Sequence, residues 1–239
     1  MKVGIIGYGF VGKALRKGLK DNVKCIEIDP KLNTNIEDLT EFKPDIIFIC
    51  LPTPMLDDGR QDIKILLSVY NELNKLKINA LKIIKSTITP ESIQKLDSIN
   101  ERFVYSPEFL RERTGEEDFI NGNLIIFGGD KKLSKTASEF FLNHTLCKQQ
   151  DHIITDKVSA SLVKYTINSF LANKVTFFNE LFEIFQNSEA DESWENFISM
   201  VSFDKRIGDS HMQVPGPDGR KGFGGACFPK DTEAFYSYS

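Results

Sequence analysis

Apolar residues gather into short continuous runs along the first half of the chain and recur at helical spacing along the second. The first run, Val3-Gly4-Ile5-Ile6, predicts a buried strand. Residues 13–20 follow with helical spacing at Ala14, Leu15 and Leu19. Strand-like runs at residues 24–28, 45–50, 81–84, 102–105 and 124–127 come next. The continuous apolar run at 45–50 suits a strand covered on both faces, as in a parallel sheet. Helical periodicity returns at residues 62–77, and Thr89-Pro90-Glu91 reads as an N-cap, a first-turn proline and a first-turn acid. The expectation is a doubly wound parallel sheet with right-handed crossovers, its ligand lying outside the carboxyl ends of the strands.

A composition change at Gln149-Gln150-Asp151 sets the expected boundary, with one domain over residues 1–152 and another over 153–239. Residues 156–187 contain neither glycine nor proline. Apolar side chains recur there at Val158, Leu162, Tyr165, Leu171, Val175, Phe178, Leu181, Phe182 and Phe185. The pattern predicts one long helix as the spine of a smaller, all-α domain. A shorter helical stretch at 192–201 carries Trp194, read as packing.

Chemistry enters where strands end. Gly7-Tyr8-Gly9-Phe10-Val11-Gly12 is a GxGxxG turn placed after a strand and before a helix, the context a pyrophosphate cradle requires. Asp29 ends the next strand, 17 residues past Gly12, where a carboxylate can accept both adenosine ribose hydroxyls and repel a 2′-phosphate. Strand, glycines and acid in series therefore point to NAD. Three further strand ends face the same edge: Pro52-Thr53, Ser86-Thr87 and Glu108-Phe109-Leu110. Taken singly, each is also ordinary loop chemistry.

In the second half, Lys164 and Asn168 are four apart and share a helical face, a pattern that by itself usually marks a solvated surface. Near the end stands Gly222-Phe223-Gly224-Gly225-Ala226-Cys227-Phe228-Pro229-Lys230-Asp231, a cysteine behind a glycine run with a cation three residues on. A thiol beside a cation loses its proton more readily, and the thiolate is the nucleophile.

The chain has 239 residues, a formal charge of −4 and interleaved acids and bases, so no basic face calls for nucleic acid or an anionic membrane. Its four cysteines, Cys25, Cys50, Cys147 and Cys227, have no CxxC or metal-ligand spacing. That usage fits a reducing compartment. With no apolar run of transmembrane length, a soluble cytoplasmic protein without a metal site is expected.

The cysteine stretch, with Leu51-Pro52-Thr53-Pro54, Ser86-Thr87 and Ser106-Pro107-Glu108-Phe109-Leu110 in the same order, resembles the UDP-glucose/GDP-mannose dehydrogenase family. The resemblance implies a Rossmann domain followed by a helical central domain. It also implies a four-electron oxidation of the C6 alcohol of a nucleotide sugar, UDP-glucose foremost, with NAD as oxidant. Cys227 would be the nucleophile, Asp231 and Thr87 would manage protons and water, and Glu108 would assist hydrolysis of the covalent intermediate. Lys164 and Asn168 would hold the developing oxyanion. Cofactor contacts would come from Gly7, Gly9, Phe10, Val11, Gly12, Asp29, Pro52, Thr53, Ser86, Thr87 and Lys230. Substrate contacts would come from Glu108, Phe109, Leu110, Lys164, Asn168, Phe223 and Gly224, with Arg206 reaching the substrate of a neighbouring subunit.

Departures from the family pattern accompany the likeness. Arg113 replaces a usual glycine after Pro107-Glu108-Phe109-Leu110-Arg111-Glu112, and Ser161 stands where an acid often precedes the helix lysine. The chain ends eight residues after Asp231, so the family's C-terminal domain, which grips the nucleotide of the substrate, is expected to be missing. Two alternatives stay open: a two-electron β-hydroxyacid dehydrogenase, which needs neither Cys227 nor Glu108, and a degenerate nucleotide-binding module without turnover. Apolar residues around more than one face of the long helix predict a homodimer packed through it.

Overall fold

The computed structural model describes residues 1–111 and 113–239; Glu112 lies outside the described residues. Two compact units divide the chain, one of Met1–Lys164 with Tyr238 and the other of Tyr165–Ser237 with Ser239.

The first unit is built on a seven-stranded sheet. Its strands are β1 (Lys2–Ile6), β2 (Lys24–Ile28), β3 (Ile46–Ile49), β4 (Leu81–Ile84), β5 (Phe103–Tyr105), β6 (Ile126–Gly128) and β7 (Ile153–Thr155), in the order β2-β1-β3-β4-β5-β6-β7. Helices α1 (Phe10–Gly18), α2 (Asp38–Phe42), α3 (Lys64–Lys75), α4 (Pro90–Asp97), α5 (Gly115–Asn121) and α6 (Lys131–His144) connect them. Strand β1 has β2 on one side and β3 on the other, so the winding reverses there and a crevice opens at its carboxyl end.

Adjacent residues on each strand serve opposite faces, as the two-residue period demands. Ile47, Ile49 and Ile84 join Leu66, Tyr70 and Leu73 of α3 in one core. Ile46, Phe48 and Ile83 join Leu15 of α1 and Phe140 and Phe141 of α6 in the other. Burial on both faces explains why β3 reads as an unbroken apolar run.

The sheet departs from the wholly parallel expectation at one place. β5 and β6 run antiparallel, through Tyr105 opposite Gly128, and β7 is parallel to β6. Between β5 and β6 the chain builds α5, which packs on α1 so closely that a Cβ on Gly18 would meet the Phe119 ring at 2.2 Å. No crossover carries the chain back to the amino-terminal edge, so β6 starts where β5 ended. Strand β7 was not anticipated. Its three residues give too short a signal, and the expected boundary at 152/153 falls just before it.

The second unit comprises α7 (Lys157–Gln186) from Tyr165 onward, α8 (Trp194–Ser202) and α9 (Phe228–Tyr238). Phe178, Trp194, Met212 and Val214 form its small core, with the Phe182 ring 5.0 Å from that of Trp194. Tyr165 of α7 stacks on Phe235 of α9 at 5.6 Å. Among the described residues no helix is long and apolar enough to cross a membrane.

Candidate active site

Sheet register brings the predicted residues of the first unit to one edge. Ile6 pairs with Ile28 and Ile49, Ile49 with Ile84, and Ile84 with Tyr105. The residues that follow, Gly7, Asp29, Cys50, Lys85 and Ser106, therefore leave the sheet in one row.

At the head of that row the chain turns into α1. Gly7 has φ +90°, and a Cβ there would lie 2.5 Å from the Cys50 carbonyl. A Cβ on Gly12 would lie 2.2 Å from the Gly7 carbonyl, so neither position tolerates a side chain. Around Gly9 nothing comes within 4 Å of a would-be Cβ, which leaves open space over the turn. Gly9 caps α1 without a side-chain hydrogen bond, and no acid stands in the first turn, Phe10 and Val11 included. Backbone N–H groups there keep their capacity for an anion.

Asp29 borders the same turn. Its Oδ2 accepts from the Tyr8 amide at 2.8 Å and its Oδ1 from the Lys31 amide at 2.9 Å. The Lys31 amide first, then that of Tyr8, holds this carboxyl below the usual aspartate range. Open space, uncapped amides and an ionised carboxylate fit an adenine dinucleotide, with Gly7, Gly9 and Gly12 at the pyrophosphate and Asp29 at the ribose.

Further along, Ser86 accepts from the Leu51 amide at 2.9 Å and donates to the Leu51 carbonyl at 2.7 Å. Thr53 donates to the Thr87 carbonyl at 2.8 Å, and so does the Gln61 amide, also at 2.8 Å. Both hydroxyls thus tie the ends of β3 and β4 together, while Pro52 is exposed and Thr87 half-buried.

Lys85, unremarked in the sequence, is 3% exposed and pairs with Glu108, which is 13% exposed. Its ammonium also donates to Ser106 Oγ at 3.0 Å and lies 5.5 Å from the centre of the Phe141 ring. Lys164, buried on the first turns of α7, sets its Nζ 5.1 Å from the centre of the Phe109 ring. Leu110 packs into the core face that holds Phe127.

In the second unit Asn168 and Asp231 are both buried, and Asn168 Nδ2 donates to Asp231 Oδ2 at 2.6 Å. Lys230 pairs with the other oxygen of the same carboxylate. Asp231 lies one turn into α9, its amide donating to the Cys227 carbonyl at 2.8 Å. Cys227 is the N-cap residue of that helix and is exposed. The glycine run is moored to α7 by the Gly222 amide, which donates to Asn179 Oδ1 at 2.9 Å. Phe223 and Gly224 of the run are exposed. Arg206 is exposed and its guanidinium is taken up by Asp204, with Nη2 2.6 Å from Oδ2.

Burial separates the four thiols. It pushes Cys25 up to about 12 and raises Cys50 and Cys147 as well. The exposed Cys227 at a helix start is the one in the setting a nucleophile needs.

Helix α9 itself was missed from sequence, although Pro229 and Asp231 in its first turn repeat the start signal found at Thr89. Gln61, whose Oε1 accepts from the Thr89 amide and from Ser92, carried no signal, because only the fold brings residue 61 to residue 89.

Residues 15–144 match the family model for the NAD binding domain of the UDP-glucose/GDP-mannose dehydrogenase family, and residues 158–239 match the model for its central domain. A UDP-glucose 6-dehydrogenase of Rickettsia bellii is 31% identical over 99% of this chain and 62% of its own length. One of Bacillus subtilis is 29% identical over 98% of this chain and 61% of its own. The solved structure of a UDP-glucose dehydrogenase from Pyrobaculum islandicum superposes with a TM-score of 0.76 at 24% identity, covering 99% of this chain and 63% of that one. The chain thus spans about three-fifths of the relatives it matches. With an NAD cradle on its first unit and the expected cysteine stretch on its second, this chain belongs to the UDP-glucose/GDP-mannose dehydrogenase family.

Proposed function

We propose that the chain provides the cofactor and nucleophile machinery for NAD-dependent oxidation of the C6 primary alcohol of a nucleotide sugar, UDP-glucose foremost, to the uronate. The observation that carries this reading is the buried Asn168–Asp231 hydrogen bond at 2.6 Å, one helical turn past the exposed Cys227. A plain alcohol dehydrogenase has no use for such a cysteine.

NAD, when bound, accepts the hydride in each of two oxidations. The chain's own residues do the rest. Once the alcohol is an aldehyde, Cys227 Sγ adds to C6 as a thiolate, a charge that the start of α9 favours. The carbonyl oxygen becomes an oxyanion held by Lys164 and Asn168, and Asp231 relays the proton. The second oxidation yields a thioester. Water held by Thr87 attacks it with help from Glu108, the C–S bond breaks, and the thiolate leaves. Four free cysteines suit a reducing, cytoplasmic setting for this chemistry.

Counting NADH per substrate consumed tests the reading. Two supports it, and one points to the two-electron reaction. Cys227→Ser should abolish uronate while NAD binding is kept, and full activity in that variant would end the proposal.

The chain is further proposed to act as a homodimer through α7. Phe170, Phe177 and Ile184, seven apart and 64, 61 and 67% exposed, line one stripe of this helix. A repeat of seven is the spacing with which one helix seats against a second. Two-fold pairing buries the same stripe on both copies.

A further inference from the structure

At the amino-terminal edge of the sheet, opposite the glycine turn, the first unit holds a cavity of about 320 Å³. Its wall includes Lys77, Lys82 and Arg102, three cations with no carboxylate beside them in the lining. Lys82 is 7% exposed, and among the described residues its ammonium donates to the Ile78 carbonyl alone, at 3.3 Å. Among the described residues none of the three cations is in an ion pair.

A buried ammonium without a counter-charge is costly, and proteins normally pair such groups. Here the neighbour is a second cation. Burial, and then the charge of Arg102, holds Lys82 below the ordinary lysine range. An arrangement that gathers like charges and withholds their partner gains most when a polyanion enters. The surrounding groups are already fixed: Asn100 Nδ2 donates to Asn74 Oδ1 at 3.0 Å, and Asn100 Oδ1 accepts from the Arg102 amide at 2.9 Å. Leu73 and Ile78 in the wall offer apolar surface to a small organic body. One helix start, that of α6, adjoins through Leu133, but Asp130 already caps it by accepting from Lys132 and Leu133. Recognition therefore falls to the side-chain cations.

We propose that this cavity binds a small phosphate-bearing anion, with Lys82 and Arg102 as its principal ligands, at a site separate from the NAD cradle. Three positive charges match a di- or polyanionic phosphate better than a single carboxylate. The cavity is the size of a compact phosphorylated metabolite. Because β4 and α3 border it and also run to the opposite edge of the sheet, occupancy can bear on the cofactor end of the same strands.

The test follows the side-chain amide resonances of Asn74 and Asn100 while pyrophosphate is added to protein saturated with NAD, so that the glycine turn is already filled. Saturable shifts are expected. Lys82→Met and Arg102→Gln should each weaken binding at least about tenfold, the loss of one charge-assisted hydrogen bond. Lys82→Met removes an unpaired buried charge and should melt no lower than the parent, and the exposed Arg102 gives a second variant if it does not fold. Inorganic phosphate and a nucleoside monophosphate, run in parallel, tell a free anion from a phosphate carried on an organic body. Unshifted asparagine amides, or affinity unchanged in both variants, would overturn the proposal.

Discussion

Replacing Lys85 by methionine tests the charge chemistry at the strand ends most directly. The substitution keeps an unbranched stem of similar volume and removes only the ammonium. Glu108, 13% exposed, then loses its partner, and Ser106 loses a donor at 3.0 Å. Breaking a buried pair from one side costs about 3–5 kcal/mol, because the surviving charge stays desolvated. Loss of the cation above the Phe141 ring adds up to about 1 kcal/mol. A total of about 4 kcal/mol at an m value near 2 kcal/mol per molar urea lowers the unfolding midpoint by about 2 M. Circular dichroism in urea measures this. The double variant Lys85→Met/Glu108→Leu, which removes both charges, should recover most of the loss. An unchanged midpoint in the single variant, or a double variant worse than the single, would show that the pair is not desolvated and refute the reasoning.

Asp29→Asn should weaken NAD binding about tenfold in a fluorescence titration, since a charged acceptor at the ribose becomes a neutral one. Asp29 has a depressed pKa in the folded chain, so what it contributes to stability is present above the unfolded aspartate value and is lost as pH falls through the folded one. The acid limb of a melting-temperature profile should therefore flatten in Asp29→Asn. In native protein at about pH 8, a disulfide reagent should modify one thiol quickly, and Cys227→Ser should remove that phase; two fast thiols would contradict the raised pKa values of the half-buried Cys25 and Cys50 and the buried Cys147. Phe177→Asp, on the exposed stripe of α7, should shift light scattering from dimer to monomer at micromolar protein, and an unchanged dimer would move the interface elsewhere.

Much of the fold was legible in local patterns because each pattern has a local cause. A strand buried on both faces must be largely apolar, so β1 and β3 could be read directly, and β4 at its observed bounds in spite of Lys82. The turn from Gly7 to Gly12 is dictated by backbone clearance that only glycine gives. Thr89 caps α4 by accepting from the Ser92 amide, as its sequence context demanded. Apolar side chains recurring at helical spacing through residues 156–187 made α7 legible. What stayed hidden depends on partners distant in sequence. The three residues of β7 become a strand only by pairing with β6. Lys85 resembles any polar residue closing a strand until the fold sets it against Glu108, and Asp231 resembles any first-turn acid until Asn168, 63 residues earlier, meets it. The chain alone determines which residues can bear chemistry. Only the tertiary structure decides which are buried together, and burial sets how strongly a charge or a hydrogen bond acts.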